Sequence, residues 1–208
     1  PDINPRTHPY VATGLKKTKF GVPLKKSLAL YETARSLPNL GVHGVGYHIG
    51  SQITQVGPFR EALARVGTLV RALRERGFEI DHLDLGGGLG ITYKDEAPPD
   101  PAEYAGALRA GLKDLGCLVL LEPGRVIVGN TGILLTRVLY RKSQGTKKFV
   151  IVDGAMNDLI RPALYGSFHQ IWPVNKTRRS RERVDVVGPI CESGDFFAEN
   201  RPLPVVGS

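Results

Sequence analysis

Cysteine is scarce: Cys117 and Cys191 are the only two in 208 residues. Two thiols do not make a disulfide framework, which excludes a small disulfide-stapled secreted scaffold and points to a reducing cytoplasm. Long apolar runs are lacking too. No window approaches the roughly 18 residues that a membrane-spanning helix needs. The opening PDINPRTHPY has neither an initiator methionine nor the apolar stretch of a secretory signal, and it reads as an interior stretch of a longer chain. Repeats and low-complexity tracts are absent. The net charge of +8 comes largely from KKTK (16–19), RKSQGTKK (141–148) and NKTRRSRER (175–183). These clusters have no interleaved aromatics and match no nucleic-acid motif, so they read as solvated loops and no nucleic-acid partner is expected. What is present is an apolar content of 41%, enough for a real core in one large or two small domains.

From residue 20 to about 125 the pattern alternates. PLKKSLALYETARSL (23–37), with Leu24, Leu28, Tyr31 and Leu37, predicts a helix. GVHGVGYHI (41–49) predicts a short strand bounded by glycines. PFREALARVGTLVRALRERGF (58–78) is the clearest helix: Pro58 suits a first turn, Phe59, Leu63, Val66, Val70 and Leu73 recur every three or four residues, and Gly77 is a stop. IDHLDL (80–85) predicts a strand, PAEYAGALRAGLKDL (101–115) a helix, and CLVLLE (117–122) a strand apolar enough to be buried on both faces. This βαβαβ order implies a parallel sheet. After residue 130, ILLTRVLYRK, KKFVIVDG, ERVDVVGPI and LPVVG are short strand-like runs without a long helix, predicting a mostly antiparallel β domain. The boundary falls near residues 128–135.

Three of these strands end in polar or glycine-rich motifs: HIGSQ (48–52), GGGLG (86–90) and EPGR (122–125). The carboxyl ends of parallel strands share one face, where ligands bind. Gly86, Gly87 and Gly88 expose backbone N–H groups that an anion can approach, or they form an ordinary strand-end turn. A dinucleotide fingerprint is excluded, because Ile91 stands where its last glycine belongs and no helix follows directly. Ser51 is either a phosphate-binding hydroxyl or a turn serine. His48 is either a core residue or a ring that stacks on a planar cofactor. Glu122 closes an apolar strand and needs a partner or a task. Arg125 is one candidate partner; holding a proton on a heterocyclic nitrogen is the alternative. Cys191, between a Gly-Pro turn and Glu-Ser-Gly-Asp, is either an inert buried thiol or a reactive one.

Taken together, HIGSQ, LDLGGGLGITY (83–93), LEPGR (121–125), RPALYGSFH (161–169) and GPICESGD (188–195) resemble, in this order, the fold-type III pyridoxal-phosphate-dependent decarboxylases. Within them the branch acting on meso-diaminopimelate matches best, over essentially the whole chain; the opening INP…TG…KFG fits as well. The resemblance implies an α/β plus β architecture. Residues 1–132 would be the second half of a pyridoxal-phosphate-binding (β/α)8 barrel, and 133–208 part of an antiparallel β-sandwich or barrel domain. It implies a homodimer with shared active sites, a small amino-acid substrate, lysine biosynthesis as the setting, and neither metal nor membrane. His48 would stack on the cofactor ring. Ser51, Gly86, Gly87, Gly88, Pro123, Gly124 and Arg125 would hold the phosphate and nearby atoms, and Glu122 the pyridine nitrogen. Arg125, Arg161 and Tyr165 would bind the distal carboxylate of the substrate and Glu192 its distal ammonium. Cys191, contributed by the partner subunit, would be the proton donor.

Two family elements have no counterpart here: the Y-x-x-K-A-N motif of the lysine that anchors the cofactor, and a late tyrosine beyond the CESGD segment. The chain therefore reads as the middle of such an enzyme. Alone it is expected to be inactive and poorly folded, because half a barrel exposes two open sheet edges. The rival readings are an ornithine or arginine decarboxylase of the same fold type, against which Glu192 and the Arg161–Tyr165 pair argue, and a non-catalytic homologue acting as a binding partner.

Overall fold

The structure is a computed structural model that describes residues 1–15, 18–175 and 178–205. Lys16 and Lys17 of the first basic cluster, Lys176 and Thr177 of the third, and the end of the LPVVG run lie outside the described residues. The chain divides into two compact units, Pro1–Thr92 with Glu96–Thr131, and Tyr93–Asp95 with Gly132–Ser208.

In the first unit α1 (Leu24–Ser36), β1 (Gly44–Gly46), α2 (Gly57–Glu75), β2 (His82–Asp84), α3 (Pro101–Lys113) and β3 (Leu118–Leu120) alternate, and β1, β2 and β3 pair in parallel in that order. Parallel neighbours cannot be joined by a hairpin, so each connection crosses over through a helix. Pro58 opens α2, and Gly77, at φ +80°, follows its end. Phe59, Leu63, Val66, Val70 and Leu73 are all buried, as their spacing predicts, and form one core with Val45, Leu83 and Leu85 of the β1 and β2 segments. Asp100 caps α3 by accepting from the Glu103 amide at 2.7 Å. α1 lies at the periphery. Leu24, Leu28 and Tyr31 are partly buried, but Leu37, expected on the apolar face, is the exposed C-cap.

β3 departs from expectation. Leu118, Leu120 and Leu121 are 60%, 44% and 51% exposed, so the strand is not buried on both faces. It stands at the edge of its sheet, and an apolar sequence cannot bury itself where no strand lies beyond it. After it comes a single helical turn, α4 (Arg125–Val128).

In the second unit β4 (Val138–Gln144), β5 (Lys147–Val152), β6 (Arg181–Val187) and β7 (Phe196–Pro204) form one sheet in chain order. β4–β5 and β6–β7 are antiparallel, whereas β5–β6 is parallel, so the sheet is mixed. Val150, Val152, Val184, Val186, Phe197, Ala198 and Leu203 are its buried core. A short helix, α5 (Arg161–Tyr165), lies in the β5–β6 connection. β7 begins at Phe196, well before the LPVVG run in which a strand is expected. Of the second basic cluster, Lys147 meets Asp185 at 3.0 Å, while Lys148, at 2.8 Å, and Arg141 meet Glu182, so these charges are paired on the sheet. Among the described residues no helix is long and apolar enough to cross a membrane.

Candidate active site

The parallel register aligns the three motif-bearing strand ends, and backbone hydrogen bonds continue past the strands to join them. Tyr47 N donates to Asp84 O at 3.0 Å, Leu85 N to Leu120 O at 3.0 Å, and Glu122 N to Gly86 O at 2.9 Å. One step further on, Ile53 N donates to Gly88 O at 2.9 Å and Gly90 N to Ile53 O at 3.0 Å. HIGSQ, GGGLG and EPGR thus sit at one end of the sheet.

The glycines have two tasks, and the structure separates them. A Cβ on Gly86 would stand 2.4 Å from Tyr47 O, on Gly87 2.1 Å from Glu122 O, and on Gly88 2.2 Å from Gly50 O. Close approach of neighbouring backbone therefore demands glycine at all three, and Gly86 and Gly88 also take φ +66° and +108°. Their amides are not all bare, as expected from the sequence. Gly86 N donates to Asp84 Oδ1 at 2.8 Å and Gly87 N to His48 Nδ1 at 3.2 Å. The amides of Gly88 and Leu89 have no acceptor among the described residues. Leu89 is 8% exposed, and a buried N–H without an acceptor calls for a ligand or water.

His48 is half-buried, and because its Nδ1 accepts from Gly87 its neutral ring carries the proton on Nε2. The Ser51 amide donates to Val11 O at 3.0 Å, and its half-exposed hydroxyl has no partner among the described residues. Glu122 is exposed and makes no ion pair among the described residues. The Glu122–Arg125 pair considered from the sequence does not form, since an edge strand leaves the carboxylate hydrated. Arg125 instead donates from Nη1 to Gln52 Oε1 at 3.2 Å. Pro123 and Gly124 are exposed in the turn that opens α4, and nothing lies within 4 Å of a Cβ built on Gly124. Among the described residues no group of three or more His, Cys, Asp or Glu is placed to hold a metal ion.

The remaining candidates belong to the second unit. Arg161 and Tyr165 lie one helical turn apart on α5. The Arg161 guanidinium stands 4.5 Å from the centre of the Tyr93 ring and 3.1 Å, through Nη1, from His169 Nε2. Cys191 and Glu192 occupy the β6–β7 turn; both are exposed, which sets aside an inert buried thiol. Glu192 Oε1 accepts from Gly194 N at 3.1 Å.

Residues 1–129 match the family described as pyridoxal-dependent decarboxylase, pyridoxal binding domain. The chain belongs to the pyridoxal-dependent decarboxylases. Over 207 residues it is 48% identical to the diaminopimelate decarboxylase of Aquifex aeolicus, and over 203 residues 50% identical to that of Pseudomonas aeruginosa. These alignments cover 99% and 98% of the chain and 49% of each relative, so the chain spans about half the length of the curated relatives it matches. The crystal structure of diaminopimelate decarboxylase from Helicobacter pylori complexed with L-lysine superposes with a TM-score of 0.93 at 39% identity, over 99% of this chain and 51% of that one.

The strand-end residues fit a phosphorylated heterocycle: two amides without acceptors, a hydroxyl, an oriented imidazole and a solvated carboxylate stand at one end of the sheet. Two residues that hold candidate segments in place, one in each unit, are not singled out by sequence reasoning. Gln52 belongs to HIGSQ, and membership in that motif is its only signal. Asp195 is 3% exposed and ties the Cys191 turn to the 155–158 loop. Its Oδ1 accepts from Met156 N at 2.6 Å and its Oδ2 from Ile190 N at 2.8 Å.

Proposed function

We propose that this chain serves the decarboxylation of meso-2,6-diaminopimelate to L-lysine and CO2, with pyridoxal 5′-phosphate held at the carboxyl ends of β1, β2 and β3. The observation that carries the reading is the convergence there of His48, Ser51, the acceptor-free amides of Gly88 and Leu89, and Glu122. Bound there, the cofactor supplies an electron sink for the pair left behind when the carboxylate departs. Glu122 keeps a proton on the pyridine nitrogen. His48 covers one face of the ring, with its tautomer fixed by the Gly87 amide. Ser51, the Gly86–Gly88 backbone with the acceptor-free amides of Gly88 and Leu89, and the Pro123–Gly124 turn would surround the phosphate. Arg125, Arg161 and Tyr165 receive the carboxylate that does not react, for which a planar guanidinium fork is suited. Glu192 receives the ammonium beside it. Cys191, from the second subunit of a homodimer, gives its Sγ proton to the substrate Cα. The setting is lysine biosynthesis in the cytoplasm. The test is CO2 release by the whole enzyme from meso-diaminopimelate, ornithine and arginine in competition. Preference for meso-diaminopimelate is expected, and preference for ornithine would defeat the assignment.

A further inference from the structure

Gln52 stands outside every role assigned above, yet it links all three strand-end loops. Its backbone takes φ +60°, a conformation that side chains adopt rarely and that persists where surrounding contacts hold it. The holding contacts are its own side-chain amide. Nε2 donates to Ile91 O at 2.5 Å, and Oε1 accepts both from Ile91 N at 3.1 Å and from Arg125 Nη1 at 3.2 Å. Gly90 leaves room for this, since a Cβ there would lie 3.3 Å from Gln52 Cδ. The ring of contacts closes on the far side. Ile91 Cδ1 packs where a Cβ on Gly129 would be, at 2.4 Å, and Gly129 caps α4, whose first residue is Arg125.

Only a carboxamide of this length satisfies the geometry. The Ile91 pair needs a donor and an acceptor on one planar group. A carboxylate has no proton to offer Ile91 O, and Asn is one methylene short from the same Cα. A guanidinium presents its donors in one rigid plane, so anchoring one Nη sets the direction of the whole fork. We propose that Gln52 is a positioning residue that fastens Arg125 to the Gly90–Ile91 segment and so aims it at the non-reacting carboxylate of a dicarboxylic amino acid. The inference rests on the reading of Arg125 as a ligand of that carboxylate.

The test uses the whole enzyme and two readouts: KM and kcat for meso-diaminopimelate, and the calorimetric Kd of L-lysine, which keeps the carboxylate in question and is not turned over. Gln52→Met is expected to raise KM and the L-lysine Kd about tenfold, with the change in KM exceeding that in kcat. Gln52→Glu is expected to act in the same direction, and it gives the answer should Gln52→Met fail to fold. Arg125→Ala must raise the L-lysine Kd by itself. In that background, adding Gln52→Met should change Kd less than twofold, because the two residues act as a unit. If Arg125→Ala leaves the L-lysine Kd unchanged, the reading of Arg125 falls. If Arg125→Ala weakens binding but either Gln52 variant binds L-lysine normally, or the two effects multiply, the positioning role is overturned.

Discussion

Removing the Asp195 carboxylate should unfasten the turn that carries Cys191. The side chain is 3% exposed and serves as acceptor for two backbone amides, Met156 and Ile190, on two different loops. A buried N–H left without a partner costs roughly 1–3 kcal/mol, so Asp195→Ala is expected to destabilise the protein by about 3–5 kcal/mol and Asp195→Asn, which keeps one acceptor, by about 1–3 kcal/mol. Urea unfolding of the whole enzyme reads the loss, and amide hydrogen exchange localises it to Met156 and Ile190. Because Ile190 precedes Cys191 directly, Asp195→Asn should lower kcat more than it raises KM. Gly188 provides a second approach to the same contact: a Cβ there would stand 2.2 Å from Asp195 Oδ2. Gly188→Ala should reproduce the phenotype, and combining it with Asp195→Asn should add little. An Asp195→Asn enzyme with an unchanged urea midpoint and full protection at both amides would refute the reasoning.

Gly87→Ala should drive the ends of β2 and β3 apart, since its Cβ falls 2.1 Å from Glu122 O; equilibrium dialysis is expected to show pyridoxal phosphate retention at least about tenfold weaker. Cys191→Ala should cut kcat by about 10²-fold or more, the range of a lost general acid, in steady-state assays with meso-diaminopimelate. Mixing inactive Cys191→Ala and Glu122→Gln enzymes should restore up to about a quarter of the activity if sites are shared across a two-fold dimer, and no recovery would remove the shared-site reading. On the second-unit sheet, a hydrogen bond from Lys148 and the charge of Arg141 hold the Glu182 carboxyl below its ordinary range. Burial pushes Asp185 up, but the Asn200 amide and Lys147 outweigh it, so its pKa too is lowered. Both folded values lie below the unfolded ones. Their stabilisation is therefore present above about pH 4 and lost as pH falls through the folded values, which urea midpoints at about pH 6 and pH 3 will register.

The α2 helix and the parallel order of β1, β2 and β3 are legible in the sequence because burial there repeats with the helical period and because helices separate the strands. The convergence of His48, Gly86–Gly88 and Glu122 follows from that order alone. Burial of β3 is not legible: Leu118 and Leu120 have the composition of a central strand, and only the sheet's boundary exposes them. For the same reason Glu122 looks like a buried charge in the sequence and is a hydrated one in the fold. β7 is hidden by Asn200, Pro202 and Pro204, which an edge strand tolerates. The left-handed backbone of Gln52 and the two loops joined by Asp195 depend on partners distant in sequence, which no local pattern announces.

In the second-unit sheet the parallel pairing of β5 with β6 stands between two antiparallel ones. Two strands running the same way need a long return path, and here residues 153–180 supply it, with α5 carried along the way. A sheet of hairpins alone would have no such excursion to spare. The ladder's direction change thus makes room for an excursion between two neighbouring strands, and Arg161 and Tyr165 lie on it. The excursion is nevertheless tied to the sheet: Pro162 is buried, Leu159 and Ile171 pack on the sheet's core, and the Met156 amide is held by Asp195, so any change in its length has to keep those contacts.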